Sequence, residues 1–263
     1  MKFHDAHCHL ANKDFMKDFE ISNSMEKWKN SGLEYVIGVS SNISESYKIL
    51  EMSKEFKRII PGIGIHPWKA KTQMKEELKA EFRQIINDNE RIVIGEIGLD
   101  HHFIKREERY SYQEEYFRFF LEQAEKNSLP INIHLKGAEE ETSDILTSYK
   151  IPSENILIHW YSGPKEVFNQ LLERDYFFSI NPSVLTGSTH IEVLKSAPLN
   201  RILTESDGNV KYTIDNVKVT GSPGIIPEVL SKIEEIKNIE LEELSVILQK
   251  NIRIYANLAS DKI

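Results

Sequence analysis

Short runs rich in isoleucine, leucine and valine recur along this chain, and longer stretches with apolar residues at three- and four-residue intervals separate them. The short runs fit buried strands, and the 3.6-residue rhythm between them fits amphipathic helices. Strands are expected at Lys2–His7, Tyr35–Val39, Ile59–Ile65, Ile92–Glu96, Ile131–His134, Ile156–His159, Tyr176–Ile180 and Arg201–Thr204. Helical patterning covers Ser44–Phe56, Lys75–Ile86, Gln113–Lys126, Glu140–Tyr149 and Pro164–Glu173. The tail reads as two helices in succession, Pro223–Lys237 and Leu241–Tyr255, which would close an outer ring. Eight strands alternating with helices predict an α/β protein of the (β/α)8 TIM barrel type. Periodicity does not reveal closure, so an open doubly wound sheet stays as the alternative.

Composition narrows this picture. The chain has 263 residues, 40% hydrophobic and 28% charged, with no Gly/Ser linker and no low-complexity stretch, so a single domain over residues 1–263 is expected. No apolar run approaches the length of a membrane span, and no basic segment followed by an apolar block opens the chain; a cytoplasmic protein without a membrane partner is expected. Cys8 is the sole cysteine, which excludes an intramolecular disulfide. A net charge of −8 argues against a broad basic surface that coats nucleic acid, but leaves room for a small metal-bearing cleft that accepts a strand end.

The candidate chemistry begins at "DAHCHL", residues 5–10. If the strand continues that far, its side-chain period of two points His7 and His9 to one face, as a shared metal ion would require. The plainer alternative is a turn-capping histidine beside a core histidine. Cys8 alternates to the opposite face and reads as a small packed hydrophobe, not a ligand. Four further polar residues fall at or just after predicted strand ends: Glu96 in "IVIGEIGLD", His134 after "INI", His159 after "ILI", and Asp207 in "RILTESDG". In a parallel barrel those ends meet at the C-terminal rim, where sites of this fold assemble. Four imidazoles and two carboxylates exceed one tetrahedral shell, which suggests two ions sharing a carboxylate. Nitrogen and oxygen donors without thiolate suit zinc, manganese, cobalt or nickel better than calcium.

Taken together, "DAHCHL", "GIGIHPW" at 62–68, "IGEIGLD" at 94–100, "INIH", "ILIHWYSG", "LTESDG" and the closing "NIRIYANL" resemble the successive motifs of the TatD family of metal-dependent deoxyribonucleases, among the amidohydrolase-like barrel enzymes. The resemblance runs from residue 5 to about 258, in order. It implies hydrolysis of DNA phosphodiesters at strand ends, typically as a 3′ to 5′ exonuclease, with two divalent ions drawn from zinc, manganese, magnesium, cobalt and nickel. Carried over by residue, His7, His9, Glu96 and Asp207 would hold one metal, and Glu96, His134 and His159 the second, with Glu96 bridging. His66 would face the substrate phosphate; its alternative is a loop histidine before Pro67.

Departures from the family pattern bear on substrate. Lys136 stands where the family often has arginine, a compact charge in place of a two-pronged donor. Ser206-Asp207-Gly208-Asn209 replaces a Thr-Asp followed by proline and reads as a more flexible loop. Trp160 is either a stacking surface for a base or a space-filler under a loop, and His101 and His102 read as rim residues. On this reading two divalent ions about 3.5–4 Å apart would lower the pKa of a water, Asp207 would orient it or take its proton, and His66 and Lys136 would stabilise charge on the phosphoryl oxygens. Two other functions fit the same residues: an amidohydrolase-type enzyme on a small ester, lactone, amide or aminoacyl ester, or a non-catalytic accessory metal protein of a larger assembly.

Overall fold

The computed structural model describes residues 1–258 and forms the expected barrel. Its eight strands lie in chain order and pair in parallel: β1 (Phe3–Cys8), β2 (Leu33–Gly38), β3 (Ile59–Ile63), β4 (Val93–Asp100), β5 (Ile131–Lys136), β6 (Ile156–Ile158), β7 (Phe177–Ile180) and β8 (Ile202–Thr204). β8 then returns beside β1. Thr204 donates its hydroxyl to His4 O at 2.6 Å and its N–H to His4 Nε2 at 3.1 Å, and Asp207 N–H donates to His7 O at 2.9 Å. A doubly wound sheet reverses its strand order and keeps two free edges; the sequential order and this seam exclude it.

The apolar runs are buried on both faces, as parallel strands under helices must be. Inside the barrel, Ala6, Ile37, Ile60, Val93, Leu157, Phe177 and Leu203 pack with Ile252 and Tyr255 of the last helix, Leu241–Tyr255. The Tyr255 hydroxyl donates to Ile131 O at 3.0 Å, so that helix plugs one end of the barrel and leaves chemistry to the other. A larger cluster, with Phe82, Phe117 and Phe120 among its members, fills the space between strands and helices.

Four features depart from the sequence reading. β4 continues to Asp100, so Glu96 lies within a strand and not at its end. Helices at Ile21–Ser31 and Ser188–Ser196 were not expected; the first sets Ile21, Met25 and Trp28 on one face at i, i+4 and i+7, a narrow stripe among polar residues. A hairpin of β9 (Lys211–Ile214) and β10 (Val217–Thr220) follows the barrel, turning through Asp215 and Asn216 at φ 49° and 64° in the left-handed region that a type I′ turn needs. The loop before it is also not the flexible element expected. Gly208 is buried beside Cys8, and a Cβ there would come within 2.2 Å of Cys8 Sγ and 2.9 Å of the Phe15 ring. Close approach, not mobility, requires glycine.

Candidate metal centre

The barrel brings the six predicted ligand residues together. His7 lies in β1 and His9 just past its end, with their Nε2 atoms 3.3 Å apart. Glu96, 1% exposed, sits among the imidazoles and divides its two oxygens between them. Oε2 lies 3.2 Å from His9 Nε2 and 3.6 Å from His7 Nε2, while Oε1 lies 2.9 Å from His134 Nδ1 and 3.4 Å from His159 Nε2. Asp207 Oδ1 joins the first group at 3.6 Å from His7 Nε2 and 3.7 Å from His9 Nε2.

These donors fit divalent ions on an observation of their own. Glu96 Oε2 is buried and has no hydrogen-bond partner among the described residues, because the nearby imidazole nitrogens approach it without hydrogen-bond geometry. Burying a carboxylate oxygen without a donor is costly, and a cation between it and the nitrogens removes that cost. Burial also keeps the imidazoles ready to coordinate: it pushes His7 down to about 3 and His159 down to about 4, so both are neutral at ordinary pH. His9 and His134 differ. Burial opposes charge on both, yet Glu96 and Asp207 raise His9, and hydrogen bonds to Asp100 and Glu96 hold the His134 pKa up at about 9, so a cation binding there would displace a proton. Asp207 is raised by burial to about 6.

The far side of each ring decides which nitrogen faces the centre. His7 Nδ1 lies 2.9 Å from Asn132 Oδ1, and the Asn132 amide is oriented by its Nδ2 donating to Ala6 O at 3.0 Å. The proton of His7 therefore sits on Nδ1 and its lone pair on Nε2. His159 Nδ1 faces Glu205 at 3.1 Å, His134 Nε2 faces Asp100 Oδ2 at 2.9 Å, and His9 Nδ1 is 3.5 Å from Ser41 Oγ. Such outer partners hold ligating histidines in one tautomer and orientation. Burial raises Glu205 to about 7, and it also accepts from the Trp160 N–H at 3.2 Å. Distance alone would group His7, His159 and Glu205 as ligands, but Glu205 meets the outer nitrogen of His159. Asp100, Asn132 and Glu205 were not singled out from the sequence. Each stands as a polar residue in or beside a buried apolar strand, close to a ligand, which is the mark by which they could have been found.

His66 is close to Glu96, its Nε2 lying 3.3 Å from Oε1, and proximity alone would place it with Glu96 and His134. Its hydrogen bonding argues otherwise. The Trp68 N–H donates to His66 Nδ1 at 3.1 Å, and burial lowers the pKa, so the neutral ring carries its proton on Nε2 and presents a donor to the cleft.

The centre opens into a cleft of about 720 Å³ whose walls include Lys136 and Trp160. Lys136 Nζ donates to Ser162 Oγ at 2.5 Å. Trp160 has protein partners for both edge and ring: its indole N–H donates to His190 Nε2 at 2.5 Å, and Tyr212 packs 5.9 Å away. His102 lines the cleft, whereas His101 stacks on Tyr110 with ring centres 3.6 Å apart. No helix among the described residues is long and apolar enough to cross a membrane.

Comparison with known proteins agrees with this architecture. The TatD related DNase family model matches residues 4–256. The uncharacterized metal-dependent hydrolase MJ1582 of Methanocaldococcus jannaschii is 31% identical over 253 residues, covering 95% of each chain. Human deoxyribonuclease TATDN3 is 26% identical over 97% of this chain and 94% of its own. The crystal structure of YJJV, a TatD homologue from Escherichia coli K12, superposes with a TM-score of 0.87 at 18% identity, covering 97% of this chain and 98% of that one. By a family match that spans nearly its whole length, this chain belongs to the TatD related DNases, a family of metal-dependent hydrolases.

Proposed function

We propose that this hydrolase cleaves DNA phosphodiester bonds at strand ends, as a 3′ to 5′ exonuclease, at a centre for two divalent ions. One observation carries the reading: the buried Glu96 carboxylate gives one oxygen to His7 and His9 and the other to His134 and His159, the arrangement a bridging ligand needs. His7, His9, Glu96 and Asp207 would hold one ion, and Glu96, His134 and His159 the other. Bound there, divalent ions supply Lewis acidity toward a phosphoryl oxygen and lower the pKa of water.

The chain's own residues do the rest. Asp207, in contact with His7 and His9 and lining the cleft, is placed to orient the attacking water and accept its proton. His66 donates from Nε2 to a phosphoryl oxygen, and Lys136 offsets charge developing there. A cationic centre in a small cleft attracts phosphate locally despite the acidic balance of the whole chain. Human TATDN3, named a deoxyribonuclease, supports DNA as the substrate.

The test uses single-stranded oligonucleotides labelled at either end, incubated with purified protein and Mg²⁺, Mn²⁺ or Zn²⁺. Stepwise shortening from the 3′ end is expected. Inertness toward DNA with turnover of a lactone or small ester would move the reading to an amidohydrolase-type substrate, and metal binding without any turnover would leave an accessory protein.

A further inference from the structure

Two large aromatic side chains stand out into solvent beside this centre. Trp68 is 43% exposed and Phe103 is 60% exposed, yet they touch one another, with ring centres 5.5 Å apart and planes at 73°, and both line the cleft. Leaving such surface in water forgoes the stabilisation that burial would bring. Trp68 is held at its ring and its backbone, and Phe103 at its backbone. Trp68 Nε1 donates to Asp100 Oδ2 at 2.6 Å, the Phe103 N–H donates to Asp100 Oδ1 at 2.7 Å, and the Arg109 guanidinium donates to Trp68 O at 2.7 Å. Asp100 is also the outer partner of His134, so one carboxylate ties the aromatic pair to the metal centre. The edge of His66 meets Trp68 with ring centres 4.8 Å apart.

Basic side chains accompany the pair in both of the segments that carry it. Lys69, Lys71 and Lys75 follow Trp68, ahead of Glu76 and Glu77, and Lys105 and Arg106 follow Phe103, ahead of Glu107 and Glu108. All five of these cations are exposed, and Lys69 lines the cleft.

We propose that Trp68 and Phe103 form a stacking step for the unpaired base next to the phosphate held at the centre, with Lys69 and its basic neighbours receiving the phosphates that follow. The ligand is then a single-stranded nucleic-acid end, and the proposal rests on the phosphodiesterase reading above. Exposed aromatic faces interleaved with cations suit an unpaired strand of any sequence, because every base offers a π face and every step a phosphate. The Trp68 indole, held by Asp100 and already exposed, takes up a base with little reordering.

The experiment compares strands of one length that carry either a normal base or an abasic sugar at successive positions from the end. Substrates are read with metal-loaded wild type, Phe103→Ala, Phe103→Leu and Phe103→Tyr, with circular dichroism and metal content checked for each. At one position, loss of the base should raise the wild-type KM about tenfold. Phe103→Ala and Phe103→Leu should abolish most of that preference, and Phe103→Tyr, which keeps a ring, should restore it. A strand carrying 2-aminopurine at that position should lose fluorescence on binding wild type but not Phe103→Ala. Equal KM for base and abasic strands in wild type, or a preference that survives in Phe103→Ala, overturns the stacking step while leaving the nuclease intact; the pair would then be a docking surface for a protein. Inertness of wild type toward every strand overturns the phosphodiesterase reading itself, and this proposal with it.

Discussion

Asp100 Oδ2 faces His134 Nε2 at 2.9 Å, which leaves His134 Nδ1 as the atom turned toward Glu96. The same carboxylate accepts from Trp68 Nε1 and from the N–H groups of His102 and Phe103, so it meets four donors with acceptor atoms only. In Asp100→Asn one end of the side chain becomes a donor, and the groups it faces lose their acceptor. Metal affinity should fall about 10- to 100-fold with the fold intact. Calorimetric titration of metal-free protein with Zn²⁺ or Mn²⁺ reads this, and an unchanged affinity would show that packing alone orients His134.

Glu96→Ala removes both oxygens around which the imidazoles gather. Activity should be lost, and elemental analysis should find fewer ions per chain than in wild type. Full activity with full metal content would rule out a bridging role for Glu96.

His66→Ala should separate binding from catalysis. On the proposed function, Nδ1 accepts from Trp68 N–H and the proton on Nε2 makes the ring a donor to substrate, outside the ligand set. Metal content should stay at the wild-type level while kcat falls by about 10²-fold, the effect of deleting one charge-stabilising donor. Equal loss of metal would place His66 among the ligands.

Gly208→Ala should destabilise the protein, since the new methyl meets Cys8 Sγ, and should disturb the centre through its neighbour Asp207. The double variant Cys8→Ala/Gly208→Ala removes that sulfur and should recover part of the lost Tm, but not all, because the Phe15 ring still lies 2.9 Å from the added carbon. Thermal unfolding of the two variants beside wild type checks the coupling.

His4 makes the β1–β8 seam sensitive to acid. Its Nε2 accepts from Thr204 N–H, and burial lowers its pKa from 6.5 to about 3. Between those values the unfolded chain binds a proton that the folded chain does not, so stability is lost as pH falls below 6.5 and continues to fall toward about 3. His4→Gln keeps an acceptor for Thr204 but cannot titrate, and its Tm should fall less steeply over this range. Parallel Tm–pH curves for the two proteins would remove His4 as the cause.

Much of this protein is legible along the chain. Parallel strands buried on both faces are written as unbroken apolar runs, so the eight strands announce themselves, and the polar residues that interrupt or follow them, His7, Glu96, His134, His159 and Asp207, stand out against that background. The identity of the candidate donor set is therefore a property of the sequence. What folding alone decided is where those donors face. A period of two assigns a face only in a regular strand, and the register is irregular between Asp5 and Cys8 in β1 and between Ile94 and Ile97 in β4. Those irregularities accompany the turn of His7 and Glu96 into the centre, and no local pattern records them. The outer partners are equally hidden, because Asn132 reaches His7 across 125 residues of sequence. Closure of the barrel, the crowding at Gly208 and the exposed Trp68–Phe103 pair likewise depend on distances between segments that meet only when the chain is folded.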